Sequence, residues 1–184
     1  MERMVVYHEE TGPENTDVTL RLAVEAALER GIDTMVVASR SGATASALMD
    51  RIQGTELRLV VVTPQYGYVE EHGFDRSLIP EIRGAGHEFY AGTMPFHTDK
   101  FHGCAAVQRM GDVLRTFCHG VQVCVEIGMM ACDGGVLERG RPCVLVAGTG
   151  RGADTAILAT PASSANLDKF RVHEILCKPL LMAE

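Results

Sequence analysis

The chain has 184 residues, 46% apolar and 22% charged, which is enough for one sizeable core and excludes extensive disorder. A net charge of −7 without a Lys/Arg cluster excludes the basic footprint that duplex nucleic acid and anionic lipid require, so neither nucleic acid nor membrane is an expected partner. No apolar run reaches the roughly 20 residues of a membrane span and residues 1–7 hold no signal-peptide apolar region, so a cytoplasmic, single-domain protein over 1–184 is expected.

Residues 4–8 read as a short strand. Glu14, Asn15, Thr16 and Asp17 then supply capping residues for a helix with Leu20, Ala23, Val24, Ala27 and Leu28 at helical spacing, ended by Gly31. A buried strand is predicted over 34–38, a helix over 44–51 and a second continuous apolar strand over 57–63, closed by Pro64. Such alternation implies a mostly parallel sheet with helices on both faces and ligands bound outside the carboxyl ends of the strands. The turn after Ala38 and the turn holding Thr63 and Gly67 should therefore face one crevice.

The first of these turns carries the clearest chemistry. Ser39, Ser41, Gly42, Ala43 and Thr44 lie where an apolar strand passes into a helix, and the first turn of a helix offers unpaired N–H groups and partial positive charge to a phosphate. Gly42 lets backbone approach a ligand, so a bulky residue there is expected to block a phosphate site. The alternative is that Ser41 or Thr44 only caps the helix. Asn15 and Thr16, after the first strand, either join the site or cap their own helix.

Residues 64–103 are punctuated by glycines, with a short helix near 78–83 and a strand near 87–91. Tyr66, Tyr68, Phe96 and Phe101 give this segment the means to cover a planar ligand, or else fold back onto the core. A helix is predicted over 105–117. Residues 121–133 alternate like a strand but also place Val121, Val125, Met129 and Cys132 at helical spacing, and their length favours a buried helix. Glu126 within it needs a partner if buried.

A second strand-to-glycine turn holds Gly148, Gly150, Arg151, Gly152, Ala153, Asp154 and Thr155, a further place for phosphate or carboxylate. Its formal match to a dinucleotide fingerprint, with Asp168 as ribose acid, lacks the long following helix. Residues 155–160 instead form a β-prone run before Pro161, so a hairpin-like or crossing connection is expected. Residues 172–177 make the last strand. The six cysteines show no Cys-x-x-Cys pair and read as buried thiols; His97, His102 and Cys104 lack the spacing and the fourth ligand of a metal site, so none is expected. No catalytic arrangement stands out.

Together these motifs resemble the pyruvate kinase C-terminal domain-like proteins, in particular the stand-alone pyruvate kinase alpha/beta domain proteins of archaea and bacteria. The similar residues are Glu14-Asn-Thr16, Val36-Val-Ala-Ser39 with Ser41-Gly42 and Thr44-Ala45, Cys124-Val-Glu-Ile127 with Met130-Ala131 and Asp133, Gly148 with Arg151-Gly-Ala-Asp-Thr155, and Glu174-Ile-Leu-Cys-Lys-Pro179. The resemblance implies a three-layer α/β/α sandwich with a mixed, mostly parallel sheet, and a homo-oligomer. It makes the Ser39 turn similar to the loop that grips an effector phosphate, and it implies FMN as cofactor. It implies no kinase chemistry, because the barrel domain that carries it is absent from these residues. Three functions remain in view: an FMN-binding protein, a regulatory module sensing a phosphorylated metabolite, and a structural domain whose serines only cap.

Overall fold

The computed structural model describes residues 2–68, 73–99, 103 and 105–181. A seven-stranded sheet runs in the order β1-β7-β6-β5-β2-β3-β4. Its strands are β1 (Val6–His8), β2 (Thr34–Ala38), β3 (Arg58–Pro64), β4 (Glu88–Gly92), β5 (Cys143–Ala147), β6 (Thr155–Thr160) and β7 (Arg171–Pro179). β2 is parallel to both β3 and β5, β3 to β4 and β1 to β7, whereas β6 is antiparallel to both its neighbours. The predicted mixed, mostly parallel sheet is present, and β6 is the strand that makes it mixed.

Helices α1 (Thr16–Glu29), α2 (Ala43–Ile52) and α3 (Leu78–Gly84) cover one face; α4 (Ala106–Arg115) and α5 (His119–Asp133) belong to the other. The continuous apolar strands divide their side chains between two cores. Met35 and Val37 of β2, Leu59 and Val61 of β3, and Val144 and Val146 of β5 meet Leu20, Ala27, Leu48 and Ile82. Val36, Val60, Val62 and Leu145 meet Val121, Cys124, Val125 and Met129 on the opposite face. Period-two alternation in a sheet buried on both sides produces this division.

The ambiguous residues 121–133 are helical. α5 is buried nearly all round, which is why its sequence alternates as readily as it repeats. The connection after β5 is a hairpin, with Ala147 opposite Thr155, so the dinucleotide reading fails as expected. Asp168 sits in a 3-10 turn (Ser164–Lys169) between β6 and β7, next to Arg171, which pairs with Thr160 at the edge of the sheet opposite that hairpin.

Cys118, Cys124, Cys132, Cys143 and Cys177 are buried free thiols. Burial raises Cys132 and Cys177 to about 11 and pushes Cys124 and Cys143 upward as well, so these four are packing groups and not nucleophiles at neutral pH. Phe101, His102 and Cys104 lie outside the described residues. No helix among the described residues is long and apolar enough to cross a membrane.

Candidate functional site

The carboxyl ends of β2, β3 and β5 open into one cavity of about 740 Å³. Register places the three ends side by side: Ala38 pairs with Val62, and Val37 with both Val61 and Val146. The Ser39 N–H donates to Val62 O at 2.9 Å, holding the first turn against the neighbouring strand. The crevice predicted between the two turns therefore exists, and the β5–β6 turn joins it from the other side.

At the β2 end, Ser39, Arg40, Ser41, Ala43 and Thr44 line the cavity. Gly42 is the N-cap of α2, with φ 105°. The serines stabilise the turn as well: Ala45 N–H donates to Ser39 Oγ at 3.3 Å and Ala43 N–H to Ser41 Oγ at 3.4 Å. Of the two residues expected either to line a site or to cap α2, Ser41 does both, lining the cavity and accepting from a first-turn amide, and Thr44 lines the cavity.

Several expected site residues take other places. Gly42 is not among the lining residues; a Cβ there would strike Leu78 Cδ1, so its positive φ and this close approach explain the glycine without a ligand. Substitution at 42 consequently reports on packing and backbone strain. Gly67 also lies outside the lining, past the end of β3, whereas Thr63 and Pro64 are within it. Thr16 lines the cavity, but Asn15 does not; Asn15 occupies the N-cap position of α1 without a side-chain capping bond, its Nδ2 donating instead to Glu10 O at 2.9 Å.

In the β5–β6 turn, Gly148, Gly150, Arg151 and Gly152 line the cavity while Ala153, Asp154 and Thr155 stand behind it. The buried Asp154 carboxylate accepts from Thr149 N at 3.0 Å and Thr155 Oγ1 at 2.7 Å, an internal brace that fixes the turn. Ala153 N donates to Thr16 Oγ1 at 3.0 Å, tying the turn to the head of α1.

Of the three described aromatic residues of this set, Tyr68 alone lines the cavity. Phe96 is buried in the second core, Tyr66 is exposed beneath the Arg76 guanidinium at 4.7 Å, and Phe101 falls outside the described residues.

The remaining wall was not assigned from sequence. His119, Val123, Glu126, Ile127 and Met130 occupy one face of α5, with Arg115 from α4 and Met94 and His97 from the segment after β4. Glu126 is 2% exposed; Phe96 N donates to Oε1 at 2.8 Å and Gln122 Nε2 to Oε2 at 3.2 Å, and His97 Nδ1 lies 3.1 Å from Oε1. Gln122 Oε1 in turn accepts from Arg115 Nε at 2.9 Å. The signal that could have found this wall was Glu126, a lone acid in an otherwise apolar helix.

Charge at the site opposes charge overall. Three arginines (Arg40, Arg115, Arg151) and two histidines line the cavity against the single carboxylate of Glu126, in a chain of net charge −7. Burial, and then the neighbouring Arg115, hold the His119 imidazole below its ordinary value, against the upward pull of Asp154. A cavity with cationic ends and an apolar wall of Val123, Ile127 and Met130 suits an anionic ligand with a flat or apolar body.

Among solved structures this chain is similar to Cryptosporidium parvum pyruvate kinase in complex with ADP, at 13% sequence identity and a TM-score of 0.42. The match covers 86% of this chain and 23% of that one, so this chain spans about a quarter of the longer protein. The sequence profile described as "Pyruvate kinase, alpha/beta domain" matches residues 17–158, from the head of α1 through the β5–β6 hairpin and thus through every strand tip that builds the cavity. The chain belongs to the pyruvate kinase alpha/beta domain family.

Proposed function

We propose that the protein binds FMN in this cavity, with the phosphate at the turn formed by Ser39, Ser41, Ala43 and Thr44 and the ring against α5. The observation that carries the reading is the pairing of a helix N-terminus at one end of the cavity with Val123, Ile127 and Met130 along its wall. A volume of about 740 Å³ lies within the range of pockets that enclose cofactor-sized molecules. Gly150, at positive φ and with no atom within 4 Å of where a Cβ would stand, keeps the β5–β6 turn open where the ligand would meet Arg151. A bound flavin would supply one- and two-electron chemistry. The physiological donor and acceptor are not part of the proposal.

The test is an absorption spectrum of freshly purified protein, then a titration of the stripped protein with FMN followed by flavin fluorescence and thermal denaturation. A flavin band or a saturable rise in melting temperature supports the reading. A colourless protein that FMN does not protect overturns it. The three arginines favour one further reading, a regulatory module for a phosphorylated metabolite, since they offer more positive charge than one phosphate needs. Phosphosugars that raise the melting temperature where FMN does not would select it.

A further inference from the structure

We propose that His97 and Glu126 form a proton-transfer couple in the cavity, with His97 Nε2 as general base towards an anionic guest carrying an acidic C–H, N–H or O–H, and Glu126 as the residue that positions it. In the couple Glu126 is ionised, with Phe96 N–H and Gln122 Nε2 donating into it; a carboxylate only accepts, so His97 Nδ1 is the donor in the 3.1 Å contact. That fixes the neutral ring as its Nδ1–H tautomer and leaves the Nε2 lone pair for the cavity that His97 lines. His97 Nε2 has no hydrogen-bond partner among the described residues, and Tyr68 holds the ring edge-to-face, with centroids 5.4 Å apart.

A buried carboxylate behind an imidazole is the arrangement that orients a general base and stabilises the imidazolium formed when it accepts a proton. Two features set this carboxylate apart from a structural ion pair. Both of its oxygens are engaged, Oε1 by the Phe96 amide and Oε2 by the Gln122 side chain, which fixes its orientation behind the imidazole. It is also linked through Gln122 to Arg115, a cation on the cavity wall that would face the negative charge left on the guest. The inference deepens the cavity assignment above and rests on that cavity, whichever phosphorylated molecule fills it.

The experiment uses the full chain without FMN and two readouts. The first is the tautomer of His97, read from imidazole ¹⁵N shifts at a pH where the ring is neutral. The expected proton position is Nδ1; a proton on Nε2 overturns the proposal.

The second is base-catalysed elimination of 5-nitrobenzisoxazole. His97 Nε2 takes the C3 proton, the N–O bond breaks, and its electron pair leaves on oxygen as a cyanophenolate; the imidazolium then returns its proton to water. The protein should exceed the same concentration of free imidazole, and His97→Gln should lose that excess. Glu126→Gln should lower kcat about 10-fold or more with KM unchanged. Equal rates for wild type and His97→Gln, or a Glu126→Gln variant that changes KM alone, would overturn the couple. Because neither readout involves flavin, failure to bind FMN and failure of the couple are separate results.

Discussion

Thr16 Oγ1 accepts the Ala153 N–H at 3.0 Å across 137 positions of sequence, while its own hydroxyl donates to Pro13 O. One side chain thereby links the head of α1 to the turn that carries Arg151 into the cavity. A Cβ on Gly152 would strike this same hydroxyl and lie 2.6 Å from Pro13 Cα, so the contact leaves room for glycine only.

Thr16→Val should therefore strand the Ala153 amide and loosen the turn. The expected loss is about 1–2 kcal/mol of stability, the scale of a partly buried donor left without an acceptor. Thr16→Ser should retain most of it. Chemical denaturation of the three proteins checks this, and a Val variant as stable as wild type would remove the tie from the argument.

Gly42→Ala tests the finding that this glycine answers to Leu78 and to its backbone angle. It should cost about 1–3 kcal/mol, the scale for a non-glycine residue held at an unfavourable φ. Combining it with Leu78→Ala should be less damaging than the sum of the two changes, because the second removes the clash created by the first. Strict additivity in a double-mutant cycle would contradict the contact.

Arg151→Ala should weaken FMN binding and leave the fold intact, since the side chain is exposed and makes no hydrogen bond or ion pair among the described residues. The loss expected for one charge-assisted contact is about 1.5–3 kcal/mol, or roughly 10- to 150-fold in Kd, read by fluorescence titration. Unchanged affinity would remove the β5–β6 turn from the binding site.

Acid should destabilise the protein through three histidines. Burial lowers His8, His87 and His119 from the ordinary value of 6.5; Arg58 adds to the effect at His87 and Arg115 at His119. The unfolded chain then binds more protons than the folded one between the two values. Stability is complete above about pH 6.5 and is lost as pH falls below it. His87 gives a structural reason, because Leu59 N donates to its Nδ1 at 3.3 Å and protonation there would set donor against donor. Melting temperatures between pH 8 and 5 should fall with acid, and less steeply in His87→Asn; a flat profile would contradict the assignment.

Much of the fold was legible because both periodicities were clean where they mattered. The apolar runs of β2, β3 and β5 and the amphipathic pattern of α1 mark their elements to within a residue or two. The site was less legible. Ser39, Ser41, Ala43, Thr44, Thr63, Thr16, Gly150, Arg151 and Gly152 follow from the rule that strand tips gather ligands. Asn15, Gly42, Ala153, Asp154 and Thr155 sit in or beside the same turns but bear other duties, Gly67 simply falls outside the lining, and chain proximity cannot separate a lining atom from the brace behind it. The α5 wall escaped for a different reason. A helix buried all round has no polar face to betray its orientation, so the set His119, Val123, Glu126, Ile127 and Met130 was no more visible than the competing set Val121, Val125, Met129 and Cys132.

The reversal of β6 has an evolutionary corollary. Because β5 returns through a hairpin and not through a crossover helix, residues 148–154 can change in sequence without re-threading the sheet, so long as Ala147 and Thr155 stay opposite one another and the Asp154 and Thr16 contacts are kept. The positions open to such change are Gly150 and Arg151, which carry none of these side-chain contacts, while the neighbouring β2–α2 turn is held to its parallel strand by the Ser39–Val62 bond.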